Sequence, residues 1–341
     1  MSAKRIAQAV VAVAVVGVIF VYFLPRLVDF TEVWAAIRAM TWLELLTLAI
    51  LAVWNQATYW LVEVSARPGL GYRQAMKITQ TSTAISNTLP GGAALGAGLQ
   101  TAMYVSYGFA SADIAISMAL TGTWNTFAKL AMPVVALALL ALGGNAGGAL
   151  VSTSVAGVIV LAVAILGFTV VLRSDRGALR VGGLMAAGAS FLAPLTHRPP
   201  RGDWGAATAA FRHKTIALLR TQWLRLTTAT LISHVTLYLV LLVVLRHVGV
   251  ANAAVSWQEA LAAFAFIRLL SALPITPGGL GVVELGMTAT LVAAGGDEPL
   301  VVAAVLVYRL LTFVLPIPVG AVSYLFWRRE TAGREPKQAG G

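Results

Sequence analysis

The amino-acid sequence predicts an all-α polytopic membrane protein with about six full transmembrane helices and two re-entrant helical hairpins in an inverted repeat. Its 341 residues are 59% hydrophobic and 11% charged, and the mean hydropathy is +0.84, which is outside the range of soluble domains. The apolar residues form long segments, two of which are broken by Pro-Gly-Gly. Counting each hairpin as one segment gives about eight segments in all.

The composition also argues against several classes of function. The formal net charge is +11, but the basic residues lie in loops between apolar segments, which argues against a nucleic-acid partner. The absence of cysteine excludes disulfides, thiol catalysis and thiolate metal sites. The four histidines lack metal-ligand spacing, and no nucleophile–base pair or ATP-binding loop is present. We therefore expect no enzymatic activity, no cofactor and no metal.

Six apolar segments are long enough to cross a bilayer as helices. The first resembles a signal peptide, but its apolar part is about 19 residues and no small-residue cleavage site follows, so we predict a retained helix. Lys4 and Arg5 hold the N-terminus in the cytoplasm. The predicted spans are residues 6–24, 41–64, 112–142, 151–172, 224–248 and 300–327.

Residues 78–107 and 258–295 are apolar segments interrupted by Pro-Gly-Gly. As one helix, the first would measure about 45 Å against a hydrocarbon core of about 30 Å, which is long for one crossing and short for two. Lipid tolerates a broken backbone only where protein or a water-filled cavity covers it. We therefore predict two re-entrant hairpins. Their tips are Pro90, Gly91 and Gly92 in the first and Pro277, Gly278 and Gly279 in the second.

The basic loop of residues 173–223 fixes the predicted orientation. It carries eight Arg and Lys against two Asp, so the positive-inside rule places it in the cytoplasm. The loop reaches that side only if each broken segment returns to the face it entered. Both termini are then cytoplasmic, and the predicted location is the cell (plasma) membrane. Residues 205–223 could lie along the cytoplasmic interface beside anionic headgroups, or form a solvated helix.

The predicted segments divide into two repeats of opposite orientation. In each, a glycine lies 18 residues after the proline of Pro-Gly-Gly, and the following span contains a proline. Inverted repeats with broken helices near the midplane are typical of transporters. The predicted regions are 1–40 (first helix and external loop), 41–172 (repeat 1), 173–223 (cytoplasmic loop), 224–327 (repeat 2) and 328–341 (cytoplasmic tail).

Ionisable residues inside apolar segments are costly, so they usually pair or line a site. Glu284 follows the second tip, Arg268 precedes it, and Arg309 lies in the next span. Two interpretations are open: a buried pair that only fixes packing, or an arginine that binds a lipid phosphate while Glu284 pairs with the other or titrates. Lys129, with Asn125 one turn before it, is open to a structural or a cavity-lining role.

The second arm of each hairpin begins at the tip, so its free N–H groups and positive dipole end point into the membrane. Together with the buried cations, these helix ends would suit a phosphate. The glycines could equally serve only tight turns and close packing. The candidate substrate-binding residues are Arg268, Arg309, Lys129, Glu284 and Asn125.

Four motifs resemble the lysylphosphatidylglycerol synthase transmembrane-region family, which also forms the flippase half of multiple peptide resistance factors. Many relatives carry a charged residue shortly after the first Pro-Gly turn, where this chain has Ala97, Gly98 and Gln100, so a charge-based role of that hairpin does not follow. Synthase members continue into a soluble acyltransferase-like domain, whereas this chain ends in a polar tail. The resemblance therefore implies the lipid-translocating half alone. The motifs are LPGGAALGAG (89–98), TGTWNTFAKLAMP (121–133), LPITPGGLGVVE (273–284) and VYRLLTFVLP (307–316).

We therefore expect a lipid flippase or transporter-like protein that moves an anionic phospholipid or a polyprenyl-phosphate-linked lipid between leaflets. Its partners would be membrane lipids. Two alternatives remain open. One is a secondary transporter of a small anion, and the other is a membrane scaffold for a separate lipid-modifying or glycosyl-transferring enzyme.

Overall fold

The computed structural model describes residues 30–89, 92–143, 148–173, 204–271 and 279–331. Regular structure in these ranges is helical throughout, which confirms the predicted all-α class. The predicted helix at 6–24 and most of the predicted tail lie outside the described residues. The helices are α1 (Phe30–Ala39), α2 (Trp42–Ala66), α3 (Tyr72–Thr88), α4 (Gly92–Ser106), α5 (Ser111–Leu142), α6 (Gly148–Arg173), α7 (Trp204–Val248), α8 (Trp257–Leu270), α9 (Val282–Ala293), α10 (Glu298–Arg309) and α11 (Pro316–Thr331).

Two helices begin at capping boxes, in which side chains satisfy the free N–H groups of the first turn. At the start of α2, the Thr41 hydroxyl accepts from the Glu44 N–H at 3.3 Å, and the Glu44 carboxylate accepts from the Thr41 N–H at 2.7 Å. Ser256 and Glu259 form the same arrangement at the start of α8. These local signals fix where both helices begin.

Four stretches of helix within the described residues are long and apolar enough to cross a membrane. They are α2, α5, the part of α7 from Arg212 to Val248, and the stretch Glu298–Thr331, which contains α10 and α11. Each overlaps a predicted span. α6 has 26 residues and covers the predicted span 151–172.

α7 is longer than the sequence segmentation predicts. It has 45 residues and is about 68 Å long, so it continues from the predicted cytoplasmic loop into the predicted span 224–248. Its sequence has no proline, and its one glycine, Gly205, lies at the start, so nothing interrupts its backbone hydrogen bonds. Residues 205–223 are therefore part of the same helix as the span.

α3 and α4 form a helical hairpin, called the first hairpin. Lys77, near the start of α3, forms an ion pair with Glu330. The Trp327 indole N–H donates to the Ser106 hydroxyl at the end of α4, at 2.9 Å. The hairpin therefore begins and ends beside the same end of α11.

The tip of the first hairpin reaches the middle of the helical stretch against which it packs. The Asn87 amide donates to the Phe313 carbonyl at 3.0 Å. The backbones of the two arms are in close contact. A Cβ added to Gly92 would lie only 2.5 Å from the Ile85 carbonyl oxygen, which is too close for any side chain. This packing explains the glycine at Gly92, which the sequence analysis assigned to the tip.

α8 and α9 form the second hairpin. The two ends of this hairpin lie close together, since a Cβ added to Gly295 would lie 3.0 Å from the Ala254 carbonyl oxygen. Gly286 lets the arms touch, since a Cβ there would lie 2.6 Å from the Ile267 side chain. Gly279, just before α9, has a φ of +71°, a left-handed conformation that favours glycine. The predicted tip residues Pro90, Gly91, Pro277 and Gly278 lie outside the described residues.

Each hairpin packs against the long helix of the other half of the chain. α3 packs along α11 and α8 packs along α5, while α2 and α7, which precede the hairpins, pack on each other. At Gly320 of α11, a Cβ would lie 2.9 Å from the Gln80 carbonyl carbon of α3. The packing is therefore reciprocal. In chain order, α2, α3, α4 and α5 of the first half correspond to α7, α8, α9 and the stretch Glu298–Thr331 of the second half.

A π-helical turn, Leu310–Val314, separates α10 from α11. Pro316 has no N–H, and in a regular α-helix its ring would collide with the carbonyl four residues earlier. In the wider turn the Leu315 N–H donates to the Leu310 carbonyl, five residues back, at 2.9 Å. The proline therefore produces an irregular turn in mid-helix, next to Arg309 and to the tip of the first hairpin.

Gly96→Ala tests the close packing of the first hairpin. A Cβ at Gly96 would lie 2.8 Å from the Ser82 carbonyl oxygen, so the arms must separate. We expect the free energy of unfolding to fall by about 1–3 kcal/mol. The matched control is Gly98→Ala on the same helix, where a Cβ meets nothing within 4 Å and helix propensity improves by about 1 kcal/mol. Thermal unfolding in detergent micelles measures both, and equal stabilities would contradict this packing.

Candidate functional site

A cavity of about 600 Å³, called the central cavity, lies between the two hairpins. Its walls come from α2 to α5, from α7 to α10 and from the π-helical turn Leu310–Val314. Asn87 at the end of α3 and Ser271 at the end of α8 both line it, so it lies at the tips of both hairpins. The volume is within the range of small-molecule sites.

Arg309 and Glu284 form a buried ion pair beside this cavity. The Arg309 Nε donates to Glu284 Oε1 at 2.5 Å, and the two side chains are 9% and 11% exposed. The other carboxylate oxygen accepts from the Gly281 N–H at 2.7 Å, at the start of α9. The Arg309 guanidinium carbon lies 4.1 Å from the centre of the Phe313 ring. The prediction that Glu284 meets Arg268 or Arg309 is confirmed for Arg309.

Arg268 and Lys129 line the cavity without a carboxylate partner among the described residues. The Arg268 Nε–H is buried and donates to no acceptor among the described residues. Because both cations line the same cavity, each disfavours the positive charge of the other. Asn125 lies one turn before Lys129 on α5 and lines the same cavity. Four of the five predicted substrate-binding residues therefore border one space, and the fifth, Glu284, contacts one of them.

Hydroxyl side chains form much of the wall that α3 contributes. Thr79, Ser82, Thr83 and Ser86 recur at three- and four-residue spacings, so they share one helix face, and all four line the cavity. The sequence analysis did not identify this face. The helical spacing of small hydroxyl residues in the first arm of a predicted membrane hairpin is the signal that could have found it.

Glu63 of α2 is an acidic group in the cavity wall that the sequence analysis also missed. Its carboxylate accepts from the Tyr104 hydroxyl at 2.5 Å and from the Gln100 amide at 3.1 Å, both on α4. The guanidinium carbon of Arg67 lies 3.2 Å from the centre of the Tyr104 ring. Glu63 is held by hydrogen bonds and forms no ion pair with a described cation.

α7 contributes Ser233 and His234 to the same wall. The sequence analysis set the histidines aside because their spacing does not suit a metal ion. Within the described part of the chain, no group of three His, Cys, Asp or Glu residues could hold one. His234 is nevertheless buried beside the cavity's cations, which its position in a long apolar run does not reveal.

The charge balance of the cavity favours an anionic ligand. Lys129, Arg268 and Arg309 contribute three positive charges, and Glu63 and Glu284 contribute two negative ones. An ionised side chain at membrane depth costs a few kcal/mol, so a surplus cation favours a counter-ion or water. A phosphate group would supply both the charge and several hydrogen-bond acceptors.

Comparison with known proteins agrees with the motifs in the sequence. The chain matches the family described as lysylphosphatidylglycerol synthase TM region over residues 9–320. All residues that line the central cavity lie within this range. No curated protein matches the chain. Because the match covers most of its 341 residues, the chain belongs to the lysylphosphatidylglycerol synthase transmembrane-region family.

Proposed function

We propose that this membrane protein moves a lipid with an anionic phosphate headgroup between the two leaflets. The lipid would be a phospholipid or a polyprenyl-phosphate-linked lipid. The observation that carries the proposal is the central cavity, which lies beside the middle of long apolar helices and holds more positive than negative side chains. Membership of a family linked to lipid synthesis supports a lipid as the ligand.

In this proposal both hairpins are re-entrant and are inserted from opposite faces. The first begins and ends beside Glu330, at the C-terminal end of the stretch Glu298–Thr331. The second begins and ends near Ala254 and Gly295, next to the N-terminal end of that stretch. This placement supports an inverted repeat with its broken helices at mid-depth. A hydrated cavity at the tips would satisfy the broken backbone.

Arg268 and Lys129 are the phosphate-binding cations in this proposal. A guanidinium can donate to two phosphate oxygens at once, whereas an ammonium acts as a point charge. Arg309 already donates to Glu284, so its role is to place a third positive charge at a fixed position. The hydroxyl face of α3 would replace water around the headgroup.

In this proposal the central cavity opens sideways to the lipid at Gly122. The headgroup would enter through this lateral opening while the acyl chains remain in the bilayer. It lines the cavity although it is exposed, and a Cβ there would meet nothing within 4 Å. The wall of the cavity is therefore thin at this point on α5. A headgroup could enter the cavity here without its acyl chains leaving the bilayer.

Arginine variants separate phosphate binding from packing. Arg268→Ala should leave the protein folded and reduce lipid translocation by about tenfold or more, the effect of losing one charge-assisted hydrogen bond. Arg309→Ala should also destabilise the protein by about 3–5 kcal/mol, because it leaves the Glu284 carboxylate buried and unpaired. Adding Glu284→Gln to Arg309→Ala should restore stability without restoring translocation.

The measurement is fluorescent phosphatidylglycerol translocation in liposomes, expressed per folded molecule. The control is Arg328→Ala, an exposed arginine at the end of α11, which should keep the wild-type rate. Wild-type rates for both Arg268→Ala and Arg309→Ala would end the phosphate-site proposal. Transport of sulfate without any movement of lipid would favour a small-anion transporter instead.

Gly122→Leu tests the lateral opening. A leucine side chain should fill the opening and slow lipid translocation by about tenfold or more, while its open surroundings leave stability unchanged within about 0.5 kcal/mol. The matched control is Gly167→Leu on α6, which is also exposed with open space around a Cβ but does not line the cavity. Equal transport rates for the two leucine variants would place the lipid path elsewhere.

Single-cysteine labelling tests the proposed orientation, since the chain contains no cysteine of its own. In intact cells, an impermeant maleimide should label Asp297→Cys, which follows the second hairpin, and should leave Arg201→Cys in the basic loop unlabelled. Permeabilised cells provide the control, because both positions should then react. External labelling of Arg201→Cys would reverse or refute the proposed topology.

A further inference from the structure

His234 is a buried titratable group that the proposed phosphate site leaves unused. It lies on α7 in the wall of the central cavity and is 6% exposed. Its Nδ1 is 2.9 Å from the Thr230 carbonyl oxygen, which can only accept, so Nδ1 carries the proton. In the neutral ring Nε2 is therefore an acceptor, and it is buried with no hydrogen-bond partner among the described residues.

The charges around His234 oppose a positive charge on its ring. Lys129 and Arg268 line the same cavity as His234, so their positive charges oppose an imidazolium there, and neither has a carboxylate partner among the described residues. An anion bound beside these cations would cancel the repulsion, and its oxygens would accept a hydrogen bond from a protonated Nε2. The titratable and charged residues that share the cavity with His234 are Tyr59 and Glu63 of α2, Lys129 of α5, Arg268 of α8, and Tyr308 and Arg309 of α10.

We propose that His234 takes up one proton when the cavity binds a phosphodiester anion, so that proton and anion cross the membrane together. This inference rests on the proposed lipid transport. The proton comes from water and adds to the Nε2 lone pair, and the new N–H donates to a phosphate oxygen. When the anion leaves, Nε2 returns the proton to water, and no other bond forms or breaks. The pair is electrically neutral, so a proton gradient can drive its movement.

Proton uptake and anion binding must be linked in both directions. Since the bound anion favours the protonated ring, protons in turn favour anion binding. The affinity is therefore highest in acid. The affinity falls by up to about tenfold for each pH unit from the pH at which the free His234 ring becomes neutral up to the higher pH at which the ring beside the bound anion does, and is constant above that.

Calorimetric titration of the purified full chain in detergent tests this inference. The probes are dihexanoyl-phosphatidylglycerol and its free headgroup, glycerophosphoglycerol, both phosphodiesters that stay singly charged while a histidine titrates. Buffers of different ionisation enthalpy count the protons taken up per anion. We expect about one proton per anion near neutral pH. If both probes bind, the phosphodiester itself is recognised, and if only the lipid binds, the acyl chains contribute.

Matched variants identify the group that takes up the proton. His234→Asn keeps an amide donor near the Nδ1 position, and His234→Gln serves as a second variant if the first unfolds early in a thermal scan. Both should bind the probes without proton uptake and without the pH dependence. His213→Asn, an exposed histidine on the same helix that does not line the cavity, should keep the uptake.

The outcomes that overturn the proposal can be told apart. Proton uptake that persists in the His234 variants assigns the proton to another group. Anion binding to the wild-type protein with no proton uptake rejects the coupling and leaves the phosphate site intact. If neither probe binds the wild-type protein at any pH, the phosphate site fails and the coupling fails with it.

Discussion

The arrangement of the two hairpins depends on the buried contact between Arg309 and Glu284. It holds the start of α9 against the end of α10, and the Gly281 N–H satisfies the second carboxylate oxygen. One turn later, the Phe313 carbonyl accepts the Asn87 amide from the other hairpin. Both tips are thereby attached to a single turn of one helix, and the space between them is the central cavity. Pro316 contributes to this arrangement through the π-helical turn Leu310–Val314 that precedes it, in which Phe313 lies.

The sequence predicts where the backbone breaks better than it predicts what the broken ends contact. Pro-Gly-Gly is a local signal, and a lone carboxylate at membrane depth must find a cation, so Glu284 could be paired with one of two arginines from sequence alone. The choice of Arg309 over Arg268 follows from how α9 packs on α10, which no local pattern specifies. The π-helical turn depends in the same way on the surroundings of Pro316.

Charge and hydropathy were read along the chain without regard to helix faces or helix ends, which explains the features that the sequence analysis missed. Charge marks the membrane surface, not the end of a helix, so the boundary placed at residue 224 divides a helix that continues beyond the bilayer. Hydropathy averages over all faces of a helix, which conceals the hydroxyl face of α3 and the position of His234. Glu63 lies at the edge of a predicted span, where an acidic residue is ordinarily solvated.

Apolar packing among the described residues is concentrated in separate clusters beside the central cavity. One cluster joins α7, α8, α9 and α10 around Phe264 and Leu291, and another joins α3, α4 and α5 around Ile78 and Met103. Separating either cluster would forfeit close packing, which is the main source of helix association in lipid. The surface between them is lined by hydroxyls and charges that water or a headgroup can solvate. Arg268 borders this cavity from α8 and the hydroxyl face borders it from α3, so a phosphate bound as proposed would contact both halves of the chain.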